Sequence, residues 1–160
     1  MPAPEIHPDV AEAFQALVPP SGRRSKPVPE AENHDYGAAV ARNGQQLLRF
    51  RVAKVTPTKV GLFVAVWRRA EDGTTEPFPA GDDADLLVIA VREGTRTGHF
   101  AFPTTALVKH GIVSVDGTGG KRGFRVYPPW AEVSSRQAAR TRQWQGAYFT
   151  EGGTRPDNAK

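Results

Sequence analysis

Asp85-Leu86-Leu87-Val88-Ile89-Ala90-Val91 is the stretch on which the fold turns, because after its single acid it is entirely apolar. A run this short, with no polar residue on alternate positions, reads as a strand buried on both faces, at the centre of a sheet rather than its edge. The acids just before it, Asp82 and Asp83, belong to the loop at its entry. Upstream, Gln45 to Val55 places Leu48, Phe50, Val52 and Lys54 on one face and Arg49, Arg51 and Ala53 on the other, one face apolar and one cationic. Tyr36 to Arg42 precedes it across Asn43-Gly44, a dipeptide that supplies the positive dihedrals of a two-residue hairpin turn. Thr56-Pro57-Thr58 then breaks the strand, since proline cannot donate to a ladder, and Val60 to Trp67 resumes as another.

Downstream, Gly98 to Phe102 reads as a strand and Pro103 to His110 as a short helix opening on its proline. Phe124 to Tyr127 reads as a last strand, stopped by Pro128-Pro129. At the N-terminal end, Asp9 to Val18 sets Val10, Phe14 and Leu17 on one helical face with Asp9 as N-cap. Residues 19–29, PPSGRRSKPVP, read as an exposed connection. A closing helix capped by Ser134 or Ser135 runs through Phe149, with Gln137, Thr141, Trp144 and Tyr148 on one stripe and Arg136, Arg140 and Gln143 on another. The expected class is α/β (α+β), a central mixed β-sheet flanked by helices. The expected organisation is an N-terminal helix and Pro-rich connection over 1–35, a globular domain over 36–150 and a disordered tail over 151–160.

With 160 residues, 39% hydrophobic and 24% charged, the chain is long enough for one domain with a true core. No run approaches the roughly 18 apolar residues of a membrane span. The opening MPAPEIHPDVAEAF carries acids and prolines where a signal peptide needs cations and then an apolar block, so the expected location is cytoplasmic. Zero cysteines exclude disulfides, thiolate zinc sites, iron–sulfur clusters and a cysteine nucleophile. No cofactor is expected.

Charge is sorted into blocks. Seven cations and no acid lie between Arg42 and Arg69, and six acids and no cation between Glu71 and Asp85. Seven cations against two acids lie between Lys109 and Arg142. Either the two basic blocks share a face and make a continuous electropositive surface, or the acidic block faces them and neutralises them strand to strand. Within the last block, Lys109 to Trp130 (KHGIVSVDGTGGKRGFRVYPPW) combines cations, aromatic rings and a Gly-rich turn with only Asp116 opposed. Cations beside exposed rings suit a phosphate backbone and the faces of bases. A basic hairpin packing Phe124, Val126 and Trp130 into a core would read the same way.

The catalytic motifs that could compete are absent. Gly119-Gly120-Lys121-Arg122 would need a glycine at Val115 and Ser or Thr at Arg122 to be a phosphate loop. There is no G-x-S-x-G and no H-E-x-x-H, and His7, His34, His99 and His110 are too scattered to suggest a metal cluster. A common metal-dependent nuclease arrangement puts an acid two residues before a lysine. Here Arg24, Val52, Pro57, Leu107, Gly119 and Asn158 hold that place before the six lysines.

The stretches Arg51 to Trp67, Glu76-Pro77-Phe78, Phe102-Pro103, Lys109 to Val113 and Lys121 to Trp130, continuing through Gln137-Ala138, Thr141, Trp144-Gln145 and Tyr148-Phe149, resemble the MepB family. The resemblance spans Tyr36 to Phe149. It implies a fold like that of the PD-(D/E)xK endonucleases, nucleic-acid binding, and loss of the nuclease's catalytic motif. The expected activity is therefore non-catalytic binding of nucleic acid, single-stranded DNA or RNA favoured, with little sequence preference. Phosphate contacts are expected from Lys54, Lys59, Lys109, Lys121, Arg122 and Arg125, with His110 beside them, and stacking faces from Tyr127 and Trp130. The alternatives are a divergent metal-dependent phosphodiesterase using Asp83, Asp85 and Glu76 or His99 beside Lys54 or Lys59, and a small-ligand or protein-interaction module built on Lys121 to Arg125.

Overall fold

The computed structural model describes residues 5–18, 20 and 24–152. Its frame is a six-stranded sheet in the order β1-β2-β3-β8-β9-β11. These strands are β1 (Val28–Pro29), β2 (Ala39–Asn43), β3 (Gln46–Val52), β8 (Leu86–Glu93), β9 (Arg96–Pro103) and β11 (Phe149–Glu151). β3 and β8 run parallel, and the other neighbours are antiparallel. The architecture is thus α+β with a central mixed sheet, as the apolar run at 85–91 demands.

Both faces of β8 are covered. Val88 and Ala90 enter a core with Leu48 and Phe50 of β3 and with Val10, Ala13, Phe14 and Val18. Helix α1 (Pro8–Leu17) supplies most of that cover, and Phe14 meets Phe50 edge-on at 6.1 Å. Leu87, Ile89 and Val91 enter a second core on the opposite face, with Phe100, Phe102, Leu62, Val64, Phe124 and Val126. A three-stranded sheet in the order β10-β5-β4 roofs this side, built from β4 (Lys54–Val55), β5 (Leu62–Ala65) and β10 (Gly123–Val126). The chain passes between the sheets at Ala53, whose N–H still donates to Ala90 of β8 at 3.0 Å before Lys54 pairs with Phe63. β6 (Trp67–Arg69) and β7 (Thr75–Pro77) form a separate hairpin, α2 (Thr104–Lys109) follows β9, and α3 (Arg136–Gly146) precedes β11. Among the described residues no helix is long and apolar enough to cross a membrane.

Several boundaries differ from expectation. The cap of α1 is His7, whose Nδ1 accepts from Asp9 N–H at 3.0 Å, because Pro8 takes the first helical position. The hairpin loop is Gly44-Gln45, since Asn43 still pairs with Gln46 and Gly44 alone adopts φ 64°. Part of the supposed connection at 19–29 is an edge strand: Val28 and Pro29 pair with Val40 and Ala39, a position that tolerates proline. Positions 19 and 21–23 of that segment lie outside the described residues. The closing helix stops at Gly146, and Phe149 to Glu151 forms the outer strand β11, where the Phe149 ring packs at a tilt on Phe100 with centres 4.8 Å apart. Most of the expected disordered tail, residues 153–160, lies outside the described residues.

The cationic face of β3 is not a surface. Arg51 is only 1% exposed, bonded to Glu30 and to the Phe50 carbonyl at 2.9 Å, and its Nε finds no partner among the described residues. Arg49 beside it bonds both Glu30 and Asp82 and lies 4.1 Å from the centre of the Phe78 ring. Burial pushes the Arg51 guanidinium below its ordinary value, and Glu30 opposes that shift. The continuous basic surface that the Arg42 to Arg69 block could have formed is broken up, because four of its seven cations, Arg49, Arg51, Arg68 and Arg69, pair with carboxylates. Arg68 pairs with Glu76 at 2.7 Å and Arg69 with Glu32 at 2.8 Å, while Lys54 lies over the Tyr36 ring at 4.7 Å.

Two outcomes follow from these burials. Glu30→Ala leaves the Arg51 charge uncompensated and should lower unfolding free energy by about 3–5 kcal/mol in denaturant titration, whereas a surface acid such as Glu71→Ala should change it little. His99, buried on β9, is depressed below its ordinary 6.5 by burial. The unfolded chain takes up that proton first, so the associated stability is complete above 6.5 and is lost as pH falls through the depressed native value. Tm should fall on acidification through this window, and His99→Gln should flatten the fall; His110, shifted the same way, accounts for part of what is left.

Candidate nucleic-acid interface

Where α3 crosses β10, a cleft of about 240 Å³ opens to solvent. One wall comes from the segment that follows α2 and from β10 with its flanking residues: His110, Ile112, Lys121, Phe124, Arg125 and Tyr127. The other comes from α3 and its cap: Ser135, Gln137, Ala138, Thr141, Trp144 and Gln145. Among the described residues no carboxylate lines it. Ser135 Oγ accepts from Ala138 N–H at 3.0 Å, which starts α3 so that the stripe of Gln137, Thr141 and Trp144 faces the cleft.

Gln145 holds the two walls together. It is fully buried, and its side-chain oxygen accepts from Tyr127 N–H at 2.8 Å while its amide nitrogen donates to the Arg125 carbonyl at 2.9 Å. A side chain thus supplies β10 with what a neighbouring strand would give it. His110 caps α2 and stacks flat on Trp144, ring centres 3.8 Å apart and planes within 5°. Partial burial, and then the charge of Lys109, depresses its pKa. Trp144 itself packs on Phe102 at 5.3 Å, so the pair is a ledge anchored in the core.

The expected site residues fall into three groups. His110, Lys121, Arg125 and Tyr127 meet in the cleft, and exposed Lys109 ends the neighbouring helix α2. Arg125 also braces the 56–61 turn, donating to Thr56 Oγ1 at 2.8 Å, and the Tyr127 ring covers Gly61, whose φ of 86° and 2.8 Å clearance admit no side chain. Lys54 and Lys59 do not line the cleft; both are exposed, Lys59 in the turn that Arg125 braces. Arg122 and Trp130 have other work. Arg122 donates twice to the Thr75 carbonyl and once to its hydroxyl, tying β7 to the start of β10. Trp130 donates from Nε1 to Glu93 at 2.8 Å, meets Phe149 at 5.8 Å and carries Arg96 over its face at 4.6 Å. Gln145, Gln137 and Thr141 form the wall that the cation-and-ring pattern does not signal.

The carboxylates considered for a metal are dispersed. Asp85 accepts from Leu47 N–H at 2.8 Å, Glu76 pairs with Arg68 on the β6–β7 hairpin, and Asp83 is exposed. His99 is buried on β9, lining a small cavity beneath α1. Among the described residues no three His, Asp or Glu groups come together to hold a metal ion.

Gln145→Leu, similar in size but without the amide, should destabilise the fold by about 1–3 kcal/mol for each main-chain group left unpaired, read by denaturant unfolding, and should speed hydrogen exchange at Tyr127.

Comparison with known proteins agrees with this architecture. The MepB-like family profile matches residues 30–151. A solved structure, the crystal structure of MepB, superposes with a TM-score of 0.79 at 32% sequence identity, covering 92% of this chain and 95% of that one. No curated protein matches the sequence. The chain belongs to the MepB-like family.

Proposed function

We propose that this protein binds single-stranded DNA or RNA in the cleft between β10 and α3, without cleaving it and with little sequence preference. The observation that carries this reading is the composition of the cleft: Lys121, Arg125 and His110 beside the Tyr127 ring, with no carboxylate among its lining residues. Phosphates are attracted by such a wall, and bases are held on ring faces that do not discriminate among them. Lys109 extends the cationic rim from the end of α2, and Lys59 adds charge on the turn braced by Arg125. Arg122 and Trp130 act as structural supports. Cleavage is left out because the candidate groups are dispersed: Asp85 accepts from Leu47 N–H, Glu76 pairs with Arg68, and His99 is buried on β9 apart from exposed Asp83. The cytoplasm is the proposed place of action.

Fluorescence anisotropy with labelled single strands of several sequences tests the reading. Binding should be measurable at low salt and weaken as salt rises. Lys121→Ala should lower affinity for every sequence about equally and reduce the salt slope by about 0.7, one phosphate contact's share on a single strand. Tyr127→Ala should cost roughly 1–3 kcal/mol of binding and affect single strands more than duplex, with a thermal melt confirming that the variant is folded. Absence of binding at low salt would sink the proposal.

A further inference from the structure

We propose that the cleft reads the hydrogen-bonding edge of one base at a time, through an open rung in the main chain of β10. This rests on the reading of the cleft as a single-strand site and adds how a base is held there.

Antiparallel pairing turns alternate residues of a strand toward its neighbour. Val66 N–H donates to the Arg122 carbonyl at 2.8 Å, and Phe124 and Val126 follow as the pairs facing β5, opposite Val64 and Leu62. Gly123, Arg125 and Tyr127 consequently direct their N–H and C=O groups away from β5, toward α3. Two points on that outer edge are occupied. Lys121 N–H donates to the Ile112 carbonyl at 2.8 Å, and the Gln145 amide bridges the Arg125 carbonyl and Tyr127 N–H. Between them lie the Gly123 carbonyl and Arg125 N–H, for which the described residues supply no partner. They form an acceptor followed, two residues on, by a donor. That is the same pair, at the same spacing, that Gln145 fills one rung further along.

The Gln145 carboxamide is therefore a template for what the open rung accepts: a planar N–H and an acceptor flanking one carbon. The lactam edge of thymine, uracil or guanine has this pattern, and the amidine edge of adenine or cytosine has it too. Every base fits, so an edge contact is compatible with low sequence preference. A polypeptide amide shares the pattern, but its chain would have to continue past the rung in both directions, where Ile112 and Gln145 already hold the edge. A base presents one edge and stops. The cationic, carboxylate-free lining favours the phosphodiester that carries it.

An oligothymidylate and an oligomer of N3-methylthymidine of equal length, compared by anisotropy at low salt, test this. The two share phosphates and ring faces, but methylation removes the N–H that would donate to the Gly123 carbonyl. The methylated strand should bind about tenfold more weakly, as expected when polar groups enclosed by a ligand lose their partners. The unmodified strand should also slow hydrogen exchange at Arg125 N–H. Equal affinity for the two strands, or an Arg125 amide left unprotected, overturns the edge contact while the binding reading stands. Failure of both strands to bind overturns the reading beneath it.

Discussion

Both faces of β8 carry large aliphatic side chains, and a strand of that kind cannot lie at a surface. Val88 and Ile89, neighbours that point in opposite directions, are each wholly buried. The fold therefore needs cover on two sides, and it finds two different kinds. α1 lies across one face. On the other, the chain bends away from the large sheet at Ala53 and builds a smaller one, whose last strand arrives only at Gly123. The cleft is a product of this second cover, because β10 is its outermost strand and α3 is the element laid against it.

The buried arginines show what the same arrangement costs. Placing β3 with Leu48, Phe50 and Val52 toward α1 forces Arg49 and Arg51 toward the opposite core, by the two-residue period of a strand. Burying two guanidinium groups is tolerable when carboxylates accompany them, and Glu30 and Asp82 come from segments on either side of β3 in sequence to do so. The pairing ties the segment before β2 and the loop before β8 to the middle of the sheet. It also specifies register, since a one-residue slip of β3 would drive both charges into the aliphatic core beneath α1.

The parts of this architecture legible in the sequence are those governed by local pattern. The unbroken apolar run of β8, the alternation of β3, the proline opening α2 and the serine capping α3 each declare an element within a few residues. Long-range partners were not legible. Nothing near Arg51 announces Glu30, and the charge blocks admit neutralisation and a shared basic face equally. Tyr148 falls on the helical stripe and carries the expected helix on to Phe149, where β11 begins; the contacts of these two rings with Phe102 and Phe100 exist only once β9 is in place. At the site, His110, Lys121, Arg125 and Tyr127 come together from a contiguous motif, whereas Trp130, three residues beyond Tyr127, is carried past Pro128-Pro129 to Glu93. Gln145, the residue that joins the walls, carries neither charge nor ring, so it stands in the family resemblance without its role being legible.

That glutamine has a consequence for how the molecule behaves in a crowded solution. β10 ends its sheet, and the exposed margin of a sheet is a surface on which other chains can pair and propagate aggregation. Here the margin is closed at both ends, by a main-chain carbonyl from Ile112 and by the primary amide of Gln145. An intruding strand would find a single rung, too little to offset the ordering of its backbone. A side chain that ends a sheet thus protects against association as a covering strand would, while leaving one small opening beside it.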